Sequence, residues 1–182
     1  IIPVQAAERK NQFVAVSQLI GRKRIDRTIE SFTKFWNKGH KEYRLYIIGK
    51  GELEEELRAQ VKGLDMEENI IFCGQLTHDR LLPLVAQSQA LLVSTEKDNN
   101  MVSIAESIVA GTPVVTTPVP YNAYDIEKEK LGIVKANWGE ETLLEICADN
   151  AVYVQNCVRY REKLSNVYCA GQFMKVMTSP AH

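Results

Sequence analysis

Short apolar runs alternate with amphipathic stretches along most of this chain, and this alternation restricts its fold more than any other feature. Apolar side chains recur at helical spacing between the runs, as Ile25, Ile29 and Phe32 do. The runs have the length of buried strands and cover residues 13–16, 45–48, 70–73, 91–93, 114–115 and 132–134. Strands and helices that alternate at this pace imply right-handed βαβ units. We therefore predict an α/β fold, a Rossmann-like three-layer α/β/α domain with a mainly parallel sheet of about six strands.

The 182 residues are enough for one such domain with additional terminal segments. Residues 1–11 have no face to bury, which predicts a linker from a preceding N-terminal domain. Residues 12–150 form the predicted domain, and residues 151–182 a C-terminal helical tail. Pro118 and Pro120 hold the chain extended, so we expect residues 119–130 to be a loop.

Composition and charge exclude several classes of function. The net charge of −1 gives no reason to expect nucleic acid or a membrane surface as a partner, and no apolar stretch approaches the length of a membrane span. Four scattered cysteines are expected to be reduced thiols, and three dispersed histidines predict no metal site. These residues are Cys73, Cys147, Cys157, Cys169, His40, His78 and His182. We expect a cytoplasmic protein without a metal or cofactor.

Polar groups follow two of the predicted strands, at the end of the sheet where the parallel strands finish. Lys23 lies in a basic turn after the first strand, while Asp98 and Glu106 follow the fourth. Ligands of doubly wound folds bind at this edge. Each group also has a structural explanation: a solvated basic loop, compensation of a helix dipole by Asp98, or a capping box formed by Ser103 and Glu106. No Gly-x-Gly-x-x-Gly or Gly-x-x-x-x-Gly-Lys-Ser/Thr motif is present, which argues against the usual dinucleotide and P-loop sites.

Residues 94–117 carry the most specific motif. Asp98 and Glu106 are separated by seven residues, and Glu106 opens the run Glu-Ser-Ile-Val-Ala-Gly-Thr-Pro-Val-Val. This segment resembles the Glu-x7-Glu and Ala-Met-Ala-x-Gly-x-Pro-Val-Val signature of retaining GT-B glycosyltransferases of family 4, within glycosyl transferases group 1. Three more family motifs occur in the expected order, and the resemblance covers residues 12–136. These motifs lie at residues 19–26, 47–53 and 71–74.

The resemblance implies a specific half of a two-domain enzyme. GT-B enzymes have two Rossmann-like domains with the active site in the cleft between them, and this chain is similar to the C-terminal, donor-binding half. It would transfer a sugar from a nucleotide-diphosphate sugar to a glycan or lipid-linked glycan once joined to an N-terminal acceptor-binding domain. The isolated chain is expected to bind donor weakly and to transfer nothing. The full-length protein could work at the inner face of a membrane.

The resemblance also assigns roles to residues. It implies that Lys23, Asp98 and Glu106 are catalytic: Lys23 contacts the donor diphosphate, Asp98 the transferred sugar and Glu106 the nucleotide ribose. Gln18 stands where the family has a diphosphate-binding arginine, and Leu76 where it holds the base. The backbone N–H groups of four residues at a helix N-terminus are expected to face the sugar and phosphates. These residues are Asn99, Asn100, Met101 and Val102.

Two rival functions remain open at this point. A GT-B-type sugar-nucleotide epimerase would be favoured by a histidine and further carboxylates at the phosphate edge. A non-catalytic nucleotide-sugar-binding or regulatory domain would be favoured by the departures at Gln18 and Asp98. Binding of nucleoside diphosphates and their sugars distinguishes the second rival from the enzyme.

Overall fold

A six-stranded parallel sheet forms the centre of residues 8–164, the part of the chain that the computed structural model describes. The strands are β1 (Gln12–Val16), β2 (Arg44–Ile48), β3 (Ile70–Gly74), β4 (Ala90–Val93), β5 (Val114–Thr116) and β6 (Gly132–Val134). The helices are α1 (Ile25–Asn37), α2 (Glu54–Gly63), α3 (His78–Ala86), α4 (Val102–Val109), α5 (Asn122–Lys128), α6 (Glu140–Ala148) and α7 (Asn150–Tyr160). The predicted strand and helix alternation is confirmed.

The strand order is β3-β2-β1-β4-β5-β6, and every neighbouring pair is parallel. The chain winds outward from β1 to β3, returns to the other side of β1 at β4, and then continues outward to β6. The winding direction therefore reverses between β1 and β4. In doubly wound folds the loops that leave such a pair of strands diverge and open a crevice at their carboxyl ends.

Helices cover both faces of the sheet because side chains alternate along each strand. Phe13 and Ala15 of β1 pack into one core with α1, α2 and α6, whereas Val14 packs into the other core with α3, α4, α5 and α7. Parallel strands buried on both faces carry apolar residues at nearly every position. The result is the three-layer α/β/α arrangement that the sequence predicts.

The predicted loop over residues 119–130 is wrong, because α5 occupies most of it. Pro120 lies just before the helix, where its carbonyl accepts a hydrogen bond from the N–H of Ala123 at 2.9 Å. Proline is compatible with a helix start, so the two prolines marked where α5 begins rather than a continuous loop. Ile126, which is fully buried, anchors the helix to the core.

The terminal segments are described only in part. Residues 1–7 and 165–182 lie outside the described residues, and with them Cys169, His182 and most of the predicted linker and helical tail. The described end of the linker is attached to the domain: Arg9 is buried, and the N–H of Lys10 donates to the Gln87 carbonyl at 2.8 Å. At the other end, α7 continues the predicted tail and is followed by a 3-10 turn, Arg161–Leu164.

Candidate functional site

The crevice at the β1–β4 reversal brings together two of the predicted site residues. Lys23 ends a 3-10 turn, Gly21–Lys23, in the connection from β1 to α1, and Asp98 lies in the loop after β4. The Lys23 ammonium donates to Asp98 Oδ2 in a close ion pair whose side chains are only 10% and 14% exposed. Since water screens such a pair poorly, its charges interact more strongly than those of a surface pair. The cation predicted for the diphosphate thus touches the acid predicted for the sugar.

A second network ties the same two loops together beside this ion pair. The Arg24 guanidinium donates to Asp26 at 2.8 Å and to Glu96, while the Glu96 N–H donates to the Arg22 carbonyl at 2.9 Å. Hydrogen bonds to Asp26 and Glu96 raise the pKa of Arg24 above its ordinary value, although partial burial opposes them. Burial would raise the pKa of Asp26, but hydrogen bonds from Arg24 outweigh it and lower that pKa. Arg24 therefore stays charged and links the connection after β1 to the loop after β4.

The N-terminus of α4 begins one turn after Asp98, as the sequence predicts, but its amides are not all free. The Met101 N–H donates to Asn122 Oδ1 at 2.7 Å, and the Asn99 N–H donates to Asp98 Oδ1 at 3.2 Å. Within residues 8–164, the N–H groups of Asn100 and Val102 have no hydrogen-bond acceptor. These two amides are the ones that a ligand could reach without breaking an existing bond.

Glu106 lies in the second turn of α4, and its carboxylate contacts His78, a residue that no sequence motif indicated as a partner. Its Oε1 lies 3.2 Å from His78 Nε2, at the first residue of α3. The alternative of a capping box with Ser103 is wrong, because α4 begins at Val102 and Ser103 is already its second residue. Glu106 is about one-quarter exposed, which leaves its carboxylate accessible to a ligand.

Gln18 and Leu76 lie together in a separate open cavity of about 330 Å³ at the carboxyl ends of β1, β2 and β3. A much narrower cleft of about 10 Å³ contains Lys23 and Met101. Both are lined by Val16 and Ser17, so the end of β1 forms a wall between them. Glu106 lines neither space, but its partner His78 begins α3 two residues after Leu76. Lys23, Gln18 and Leu76 therefore lie around the end of β1, whereas Glu106 does not line either space.

Asn122 and His78 are the contacts that sequence reasoning missed. Asn122 lies in the segment that the two prolines predict to be a loop. No sequence pattern therefore indicated that its side chain would accept a hydrogen bond from the Met101 N–H at the start of α4. His78 reaches Glu106 because α3 and α4 pack side by side on one face of the sheet, which no motif encodes. Within residues 8–164 no group of three or more histidine, cysteine, aspartate or glutamate side chains could hold a metal ion. No helix in that range has the length and apolarity needed to cross a bilayer.

The fold is that of a Rossmann-like α/β/α domain with charged loops at the β1–β4 reversal, and comparison with known proteins specifies the family. The sequence profile described as "Glycosyl transferases group 1" matches residues 2–145. Because this match covers most of the 182 residues, the chain belongs to the glycosyl transferases group 1 family.

Among curated proteins the chain is similar to lipopolysaccharide glucosyltransferase WaaG of Escherichia coli K12, at 27% identity over 141 residues. The match covers 76% of this chain but 37% of WaaG, so the chain spans well under half of that relative. The crystal structure of WaaG superposes with a TM-score of 0.77 at 22% identity, over 95% of this chain and 48% of that one.

Two other solved structures place the chain within the GT-B architecture. A Staphylococcus aureus TarM structure, in complex with UDP among other ligands, has a TM-score of 0.79 at 17% identity and matches 96% of this chain but 36% of TarM. A C-terminal domain of the group 1 family protein LpcC from Francisella tularensis has a TM-score of 0.74 at 15% identity, over 87% of this chain and 88% of that domain. The predicted fold, a Rossmann-like three-layer α/β/α domain of the GT-B type, is confirmed.

Proposed function

We propose that this chain is the donor-binding domain of a retaining glycosyltransferase of family 4. Joined to an N-terminal acceptor-binding domain, it would transfer a sugar from a nucleotide-diphosphate sugar to a glycan or lipid-linked glycan. The observation that carries the proposal is the meeting of Lys23 and Asp98 at the β1–β4 reversal. The similarity to WaaG and TarM supports the proposal, since WaaG is a lipopolysaccharide glucosyltransferase and TarM was crystallised with UDP.

The proposed chemistry is electrostatic. Departure of the nucleoside diphosphate leaves negative charge on the phosphate oxygens, and a preorganised cation together with helix N-terminal amides stabilises that charge. Lys23 supplies the cation, and Asn100 and Val102 supply amides. A diphosphate that enters the crevice replaces Asp98 as the partner of Lys23, which releases the Asp98 carboxylate to accept hydrogen bonds from sugar hydroxyls. Glu106 accepts hydrogen bonds from the ribose.

The rivals receive less support. His78 provides a histidine near the edge, as an epimerase would need, but it pairs with Glu106 and the family and neighbours are glycosyltransferases. A non-catalytic domain would keep the fold but have lost the charged groups that the chemistry needs, whereas here Lys23 and Asp98 are both present and meet at the β1–β4 reversal. We also propose that the isolated chain transfers nothing, since half of a GT-B cleft lies in the other domain.

Calorimetric titration with UDP, GDP, ADP and their glucose conjugates tests the proposal. We expect the wild-type chain to bind at least one of them with a dissociation constant below about 1 mM. Glu106→Gln should weaken that binding about 10- to 100-fold, because a hydrogen bond to a charged acceptor contributes about 1.5–3 kcal/mol. The loss should also appear with the free nucleoside, since Glu106 is assigned to the ribose.

Glu67→Gln is the matched control. Glu67 is exposed and precedes β3, so it lies at the amino-terminal ends of the strands, opposite the carboxyl ends that form the site. It should bind as the wild type does. A well-folded wild-type chain that binds none of these ligands would instead favour the non-catalytic domain. Equal binding by the wild type and Glu106→Gln would remove Glu106 from the site.

A further inference from the structure

Lys50 lies in the larger cavity of the site. It is part of the loop from β2 to α2, and it lines the cavity of about 330 Å³ together with Gln18 and Leu76. Among the residues that the structure describes, it is the only charged one in that lining. A single cation in an otherwise neutral cavity at the sheet edge is positioned to attract an anionic part of a ligand.

The backbone around Lys50 is fixed against the end of β1. The Leu19 N–H donates to the Lys50 carbonyl at 3.0 Å, and the Gly49 N–H donates to the Gly74 carbonyl at 2.9 Å. Gly49 has a φ of +136°, and a Cβ there would lie 1.8 Å from the Ser17 carbonyl oxygen. Only glycine allows this close approach. Lys50 is therefore carried by a rigid loop that touches the strand separating the cavity from the Lys23 cleft.

The Lys50 side chain is directed over the neighbouring loop toward the cavity. Its Cε lies 3.7 Å from the position that a Cβ of Gly74 would occupy, so the aliphatic stem runs along that glycine. Lys50 is exposed, and within residues 8–164 its ammonium group has no ion-pair partner. Lys23, in contrast, is held by Asp98. Unlike Lys23, Lys50 thus has a charge that is available before a ligand arrives.

We propose that Lys50 provides a second cation for the diphosphate of the donor, on the opposite side of the β1 end from Lys23. The inference rests on the proposed function and extends it. A diphosphate carries charge on both phosphates, and Gln18, which shares the cavity, is neutral. A lysine acts on phosphate as a point charge on a flexible stem, so it needs no fixed bidentate geometry. Lys50 attracts the nucleotide first, and Lys23 then exchanges Asp98 for a phosphate.

Titration of Lys50→Gln with UDP and with uridine tests this role, after the wild type has been measured with UDP, GDP and ADP. If GDP or ADP binds tightest, that nucleotide and its nucleoside are used. We expect the diphosphate to bind about 5- to 10-fold more weakly and the nucleoside to bind within twofold of wild type. Lys50→Arg, which keeps the charge, should retain the affinity within threefold. The wild-type affinity should also depend more steeply on salt than that of Lys50→Gln.

The matched control is Lys62→Gln, since Lys62 is an exposed lysine on α2 outside this cavity. It should leave both affinities unchanged. Gln18→Arg in the Lys50→Gln background should restore the diphosphate affinity, because it returns a cation to the same cavity. Unchanged diphosphate binding by Lys50→Gln, or an equal loss for diphosphate and nucleoside, overturns the inference while the donor site stands. A folded wild type that binds no nucleotide overturns both proposals.

Discussion

Lys23→Gln is expected to weaken nucleoside diphosphate binding about 30- to 100-fold. Two effects add. The cation that meets the phosphates is lost, and the Asp98 carboxylate remains in the crevice without its partner, where it repels an incoming anion. Calorimetric titration with the diphosphate that the wild type binds tightest measures the loss.

Asp98 separates the two effects. Asp98→Asn removes the negative charge that holds Lys23, so we expect diphosphate affinity at or above the wild-type level. The double variant Lys23→Gln, Asp98→Asn should recover part of the affinity that Lys23→Gln loses, because the repelling carboxylate is gone. Lys38→Gln is the control, since Lys38 pairs with Glu141 on the surface. If Lys23→Gln binds the diphosphate as tightly as this control does, Lys23 is not the phosphate cation.

Arg9→Met is expected to give the largest loss of stability, about 3–5 kcal/mol in the free energy of unfolding. The Arg9 guanidinium donates to the carbonyls of Ala86, Ser88 and Gly111, each at 2.7 Å, and to Thr112 Oγ1 at 2.8 Å. These hydrogen bonds satisfy carbonyl groups at the C-terminal ends of α3 and α4. A positive charge at a helix C-terminus also interacts favourably with the helix dipole. Burial lowers its pKa to about 10, so the group stays charged at neutral pH.

Methionine fills the space of Arg9 but leaves these buried oxygens without donors, which is the source of the expected loss. Urea unfolding followed by circular dichroism measures it. Arg58→Met is the matched control, because Arg58 pairs with Glu54 on the surface of α2 and such pairs contribute at most about 1 kcal/mol. A difference of less than about 1 kcal/mol between Arg9→Met and wild type would contradict the structural role of Arg9.

The sheet was predictable from the sequence because each buried strand is a nearly continuous apolar run flanked by amphipathic helices. The α5 helix was not, since two prolines suggested a loop and only the buried Ile126 reveals the helix once the core is known. The burial of Arg9 was not predicted either, because residues 1–11 were expected to form a linker with no face to bury. Its burial depends on the ends of α3 and α4, which are distant in sequence.

The part of the site that could be predicted from the sequence is the part that depends on residues following the carboxyl ends of parallel strands. Lys23 and Asp98 both follow strands, and the β1–β4 pairing brings them into contact. The pairs Glu106–His78 and Met101–Asn122 depend on how α3, α4 and α5 pack against one another, and no local pattern encodes that packing. A sequence motif was therefore enough to predict a role for each residue. The residues that contact it in the folded protein could be identified only from the structure.

A crystal structure of the chain soaked with UDP-glucose shows whether Lys23 and Asp98 bind the donor as proposed. We expect diphosphate density about 3 Å from the Lys23 ammonium and beside the amides of Asn100 and Val102, with Asp98 turned from Lys23 toward the sugar. A nucleotide bound on another surface, such as the basic cavity between α5 and α7 that Lys128 and Arg159 line, would contradict it. So would a nucleotide at the sheet edge that leaves the Lys23–Asp98 pair intact.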